Sequence, residues 1–496
     1  MPDLKVLSLC AHRLIPATAL TARRTMTERD LVDFAVDYAR KKGATYAEAR
    51  HEAQMSETFV LKNGVVDSLS YGDDAGIGVR VLAAGSLGFA ATNGMTRPEV
   101  RAIVDDAVRI ARAAKRKEPI VFAHEPAVVS NWSVPEGKKL QDVPVEDKIE
   151  EFQHIDRELM DLKYKMPARY LLVTNARITK YFANSEGSRI HSYSPRVRMY
   201  YYLTIMKGND AEQCYRNFGW SGGWEAVHEW RAHDKVLEEA RTCQAALDHG
   251  AKSPEGRMDL VVGPPVAGIM AHESCGHPTE ADRVLGREAS QAGKSFITPD
   301  AIGDKVGSPV VTVVDDPTVE HAIAYYLYDD EGVRARRRYL YKEGKIHEFL
   351  QNRETAAALH TRSNGASRAT NYDREPIPRM ANTFVEPGDW RPEEIIGEVR
   401  RGVYMKTYME WNIDDKRYNG KYVGREAYLI DDGEVKGPVR RQVVELTTPM
   451  VWGSVDACGN DLDIMEAGFC GKSDPGQALD ACLGGPTMRL RNVYLR

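Results

Sequence analysis

The stretch Met258-Asp259-Leu260-Val261-Val262-Gly263-Pro264-Pro265-Val266-Ala267-Gly268-Ile269-Met270-Ala271, continued by His272-Glu273-Ser274-Cys275-Gly276-His277, departs from the patterning of the rest of the chain. Residues 258–262 read as a short strand. Pro264-Pro265 then opens a helix over 266–271 that is apolar on every face, the pattern of a helix with no solvent side. At helical spacing Glu273 falls on the stripe of Val266, Ile269 and Met270, so an ionisable carboxylate is carried toward the interior. Left unpaired there it would be strongly destabilising, and the fold must give it a compensating charge or a task.

Two histidines flank that glutamate. In zinc peptidase helices of the HExxH type the ligands at i and i+4 share one face; here the spacing is i, i+5. Five residues at about 100° each put His277 roughly 140° around the helix from His272, so an undistorted helix cannot aim both at one ion. Gly276 permits an irregular backbone and Pro278 biases His277 away from helical geometry, so His277 is expected to swing back as the helix ends. A hydrolytic zinc site takes three protein ligands and one open position. Cys470, in the glycine-flanked Gly468-Phe469-Cys470-Gly471-Lys472, is the best candidate for the third ligand. Cys275, Cys458, Glu280 and Asp282 also qualify by residue type, and spacing does not choose among them.

Working outward, the chain downstream of Arg257 mixes short strands, a few short helices, and hairpin turns at Glu343-Gly344 and Asp432-Gly433. Upstream, Thr27 precedes an amphipathic helix with Leu31, Phe34, Ala35, Tyr38 and Ala39 at helical spacing and Gly43 as its stop. Strands are expected over 46–53 and 58–62, then over 65–71 after the turn Asn63-Gly64, with further strands over 76–82 and 87–92. Thr96 and Glu99 form a capping box for a second helix. Another helix is expected over 145–162, strands resume near Tyr170, and residues 219–224 form a loop before a helix over about 226–247. The fold class is α+β: an N-terminal α/β domain over 26–250, with 126–250 as its second part, and a strand-rich C-terminal domain over 251–496 that carries the site. Residues 1–25 match nothing downstream and are expected to be a poorly ordered or loosely attached extension.

The 496 residues are enough for two or three domains, and 43% hydrophobic with 28% charged residues fits a globular chain. Charges nearly balance: 67 basic against 72 acidic residues give a net charge of -5, which supplies no general attraction to nucleic acid or anionic membrane. The dense run Arg334, Arg336, Arg337, Arg338 reads as the solvated face of a strand. Seven cysteines, an odd and sparse set, fit reduced thiols better than a disulfide framework. No run of about 18 apolar residues marks a membrane span, and the expected location is cytoplasmic.

His-Glu-Ser-Cys-Gly-His at 272–277, followed by Glu280 and Asp282, resembles the HExxxH signature of the TldD/PmbA metalloprotease family, and specifically its zinc-bearing TldD-type members. Asn63-Gly64, Gly76-Ile77-Gly78-Val79-Arg80-Val81 and Gly88-Phe89-Ala90 resemble the family's N-terminal domain, and Cys470-Gly471-Lys472 with Gly476-Gln477 its C-terminal cysteine motif. Nearly the whole chain from Met26 is covered. The resemblance implies one zinc per subunit on His272, His277 and Cys470, with Glu273 as the catalytic glutamate. It also implies hydrolysis of peptides or unfolded proteins, and a homodimer or a heterodimer with a PmbA-type relative. Glu280 and Asp282 become candidates for orienting a ligand histidine. Pro278-Thr279 and Ser473-Asp474-Pro475 depart from the family pattern but leave the ligands intact. Two rival readings keep the same metal: an amidohydrolase acting on small amides, and a non-catalytic dimeric partner whose metal is structural, which a fourth ligand such as Cys275 would mark.

Overall fold

The helix Glu28–Lys41 opens on a capping box in which the Thr27 side chain accepts from the Asp30 N–H. The computed structural model describes residues 26–114, 116–288, 290 and 293–496, so the extension expected over 1–25 lies outside the described residues. The architecture is mixed α+β. Among the described residues one sheet has 13 strands and a second has 10.

The strand expectations over 46–83 need correcting. Residues 46–53 and 58–62 belong to one strand, Tyr46–Lys62, and 65–71 and 76–82 to another, Val65–Ala83. Their antiparallel ladder runs from Tyr46 opposite Leu82 to Lys62 opposite Val65, across the turn where Asn63 and Gly64 both take positive φ. Lys165–Asn184 pairs along the other edge of Tyr46–Lys62. Backbone bonding on both sides carries the chain through polar residues that look like breaks, such as Asp73 opposite Met55. The helix Arg97–Ala113 begins as expected, but Thr96 and Glu99 do not form a capping box: the Thr96 hydroxyl bonds the Glu99 carboxylate at 2.6 Å, and no side chain caps the backbone.

The long strands Lys165–Asn184, Arg189–Lys207 and Asp210–Ser221 continue this sheet, and the helices Val145–Asp161 and Ala232–His249 bury its apolar face around Tyr201, Phe218 and Trp230. The expected 219–224 loop is part strand, and the single helix over 226–247 is two, Ala226–Glu229 and Ala232–His249. Arg231, at φ +50, breaks the right-handed run between them.

The strand Asp463–Lys472 joins the same sheet through Glu466 opposite Phe218, and pairs along its length with Gln477–Gly485. The second sheet places Gly256–Val262 between Met488–Leu495 and Arg401–Met405. The basic run is solvated in part but is not the face of one strand. Arg338 alone lies in the strand Arg338–Lys342, and its guanidinium is wholly buried against Asp315 at 3.1 Å, while Arg334, Arg336 and Arg337 precede the strand and are exposed. Among the described residues no helix is long and apolar enough to cross a membrane.

The apolar helix, Pro264–Ala271, lies directly on the strand Gln477–Gly485. A Cβ on Gly268 would meet the Gly484 nitrogen at 2.6 Å and the Leu483 carbonyl carbon at 2.8 Å. Glycine therefore sets the helix-to-strand distance, and that strand's partner carries Cys470. Gly268→Ala is expected to lift the helix and lower stability by about 1–3 kcal/mol, read as a lower denaturation midpoint.

Candidate metal centre

The turn after the apolar helix solves the i, i+5 problem differently from the sequence expectation. His277 does not leave helical geometry: its φ and ψ are -59 and -45. Instead residues His272–Gly276 form one π-helical turn, closed by the His277 N–H donating to the His272 carbonyl. Closing i to i+5 widens the turn and stacks residue i+5 nearly over residue i, which brings both imidazoles to one side. The carbonyls of this unusual turn find side-chain donors. The Trp452 indole N–H and the Tyr341 hydroxyl reach the Ser274 carbonyl at 3.0 and 3.3 Å, and the Thr279 hydroxyl bonds those of Cys275 and Gly276 at 2.8 and 2.9 Å.

His272, His277 and Cys470 are brought together by this turn and the strand beside it. All three are buried, and one ligand atom from each lies within 4.8 Å of the others. The imidazole centroids are 4.8 Å apart, and Cys470 Sγ is 3.5 Å from His277 Nε2. Burial alone would push the Cys470 thiol up, but the neighbouring His277 and Arg379 outweigh it and bring the thiol down to about 7. The other two candidate thiols lie elsewhere. Cys275 is wholly buried in the apolar core with its thiol pushed well up by burial, and burial raises Cys458 to about 12.

Glu273 does point inward, and its compensating charge comes from residues that sequence reading missed. Its Oε2 accepts from Arg417 Nη1 at 2.8 Å and its Oε1 from the Trp411 indole N–H at 3.1 Å. Burial opposes its ionisation, but His277, His272 and Arg417 together hold the carboxyl below its ordinary value. Arg417 lies in the polar hairpin between Tyr408–Ile413 and Asn419–Gly424, far from the motif and with no local signal.

Of the two carboxylates near the motif, only Glu280 touches a histidine. Its Oε2 lies 3.0 Å from His277 Nδ1, leaving Nε2 to face the thiol. Asp282 binds Lys472 instead, with Nζ to Oδ1 at 2.7 Å. Lys472, wholly buried, also lies 3.3 Å from Glu280, which it and Arg283 hold well below the usual carboxylate range against the effect of burial. Among the aromatic residues of the central strands and the segment after them, Tyr201 and Trp224 are core, and Trp220 stacks on His321 at 4.4 Å. Tyr200 lines a cleft of about 490 Å³ together with Phe469, whose side chain alternates with that of Cys470 across the strand.

Comparison with known proteins decides the family. The chain is 30% identical over 447 residues to a metalloprotease of Methanocaldococcus jannaschii, covering 90% of this chain and 95% of the relative. Residues 255–495 match the PmbA/TldA metallopeptidase C-terminal domain, 47–111 domain 1, and 138–244 the central domain. The chain belongs to the TldD/PmbA family. A TldD-homologous metalloprotease of Haemophilus influenzae is 24% identical over 486 residues, 96% of this chain and 97% of the relative. The crystal structure of TldE from Thermococcus kodakarensis shares the fold, with a TM-score of 0.75 at 17% identity, covering 94% of this chain and 99% of that one. TldD/PmbA relatives named metalloproteases imply a metal, and the residues here fit one. Two imidazoles and a readily ionised thiol form a donor set for a borderline-soft cation. His272 Nδ1, buried without a hydrogen-bond partner, is an unmet polar atom at the same place.

Proposed function

We propose that this protein is a zinc-dependent metallopeptidase that hydrolyses peptide bonds in peptides or unfolded proteins. His272, His277 and Cys470 would hold one zinc per subunit, and Glu273 would move the proton. The observation that carries this reading is a buried, ionised carboxylate fixed beside two imidazoles and an acidified thiol. When bound, the ion supplies a Lewis acid that polarises a carbonyl and makes water acidic near neutral pH. Glu273 is the group placed to take the proton and later return it to the leaving amine. Of its two oxygens, Oε1 is the one to receive it, because its partner is the neutral Trp411 indole, whereas protonating Oε2 would break the pair with Arg417. Glu280 holds the proton on His277 Nδ1 and so keeps Nε2 free as a ligand atom. The assembly that goes with this reading is a homodimer, or a heterodimer with a PmbA-type relative.

The test joins metal analysis and size-exclusion chromatography with digestion of casein and short peptides, with and without chelator. Zinc at one tight equivalent per subunit, peptide cleavage lost to chelator and restored by zinc are the expected results. Cleavage of small amides alone would favour the amidohydrolase, and tight zinc with no hydrolysis of either would favour a structural metal. Cys470→Ser is expected to weaken zinc by more than the about 10–100-fold that loss of an outer partner costs. Full zinc occupancy in that variant at limiting metal would place the third ligand elsewhere.

A further inference from the structure

A second group of metal-binding side chains lies on the helices that cover the long sheet, away from the centre described above. His154 and Glu158 stand one turn apart on Val145–Asp161, and His233 is the second residue of Ala232–His249. One ligand atom from each lies within 4.8 Å of the other two. Each imidazole reaches one oxygen of a single carboxylate: His154 Nε2 is 3.3 Å from Glu158 Oε1, and His233 Nε2 is 2.5 Å from Glu158 Oε2. Their rings are nearly parallel, 11° apart in plane with centroids 5.7 Å apart. Asp234 Oδ1 lies 3.3 Å from His233 Nδ1, an outer carboxylate of the kind that fixes the tautomer of a ligand histidine.

We propose that His154, Glu158 and His233 form a second site, open to solvent, for a divalent transition metal of the zinc class, which staples the two helices together. Two imidazole nitrogens and one carboxylate oxygen suit zinc, nickel or copper and suit calcium or magnesium poorly. The i, i+4 pair is preorganised on one helix face, and the third ligand comes from a helix packed against it, so little chain ordering accompanies binding. The three side chains are 58%, 35% and 39% exposed, so water completes the coordination shell and the site binds more weakly than the buried one. Because the two helices share the apolar core around Phe152, Trp224 and Leu237, occupancy stabilises the segment that links the N-terminal strands to the rest of the chain. The staple does not depend on the catalytic reading.

The test is a calorimetric titration of the full, chelator-stripped protein with zinc chloride. Wild type is expected to show two classes of site. H154A/H233A is expected to keep the tight class and lose the weaker one, with affinity there falling about tenfold or more. The more conservative E158Q is expected to weaken it in the same direction. C470S should do the reverse, losing the tight class and keeping the weaker. In thermal melts, zinc above the weaker affinity should raise the wild-type midpoint by a few degrees more than that of H154A/H233A. Zinc binding by wild type, in one class or two, that neither H154A/H233A nor E158Q weakens would overturn the proposal, whereas a single class lost in H154A/H233A and kept in C470S would uphold it and count against the buried centre.

Discussion

Replacing Glu273 with glutamine is expected to leave zinc content unchanged while lowering kcat/KM toward peptides by about 10²–10⁴-fold, the range over which positioned proton transfer contributes. Glutamine has the same shape and is not one of the three grouped ligand residues, so the donor set around His272, His277 and Cys470 survives. What disappears is the atom that takes a proton. The loss should fall on kcat rather than KM, because the carboxylate's hydrogen-bond partners are Arg417 and Trp411, donors belonging to the protein itself. A parallel change at Arg417 separates proton transfer from positioning. Arg417→Met removes the ion pair but keeps the carboxylate, so its expected loss is smaller than that of Glu273→Gln. Full peptide cleavage by a zinc-loaded Glu273→Gln protein would remove this residue from the proton path.

The inward path of Glu273 was legible because a helix with no polar face fixes the direction of the next residue on its stripe. The α+β class and the turns at Asn63-Gly64, Glu343-Gly344 and Asp432-Gly433 were legible for a similar reason: each is decided by residues in direct sequence contact, and all six turn residues take positive φ. What failed depended on distant partners. The π turn at His272–Gly276 persists because Trp452, Tyr341 and Thr279 supply donors to its carbonyls, and two of those three lie far along the chain. The two long strands over 46–83 look interrupted because their ladder, and not their local composition, holds them. Arg338 sits in a basic run that reads as surface, yet it is buried because Asp315, 23 positions upstream, pairs with it. Asp282 was expected to steer a histidine, yet a lysine 190 positions away takes it instead.

That lysine carries the second large effect. Lys472→Met is expected to destabilise the protein by about 3–5 kcal/mol, the cost of removing one partner from a buried charge network. Lys472 Nζ lies 2.7 Å from Asp282, 3.3 Å from Glu280 and 3.9 Å from Glu288, and it also donates to the Pro378 carbonyl at 2.7 Å. Lys472 and Cys470 are two residues apart on one strand, so both point to the same face, toward the segment that holds the histidines. Methionine fills most of the space but takes one of two cations from the wholly buried Glu280 carboxylate, which keeps Arg283 at 2.6 Å, and removes the Lys472 donor from the Pro378 carbonyl. With Arg283 left to balance it alone, the Glu280 carboxylate is less strongly charged and its bond to His277 Nδ1 weakens, so the ligand histidine is less firmly oriented. The variant should therefore show two separable losses. Its denaturation midpoint falls even in chelator, and its zinc affinity drops about 10–100-fold, as for loss of an outer carboxylate. Equal midpoint shifts with and without zinc, at unchanged affinity, would confine Lys472 to the stability of the fold. An unchanged midpoint in chelator would show that the buried carboxylates do not need it.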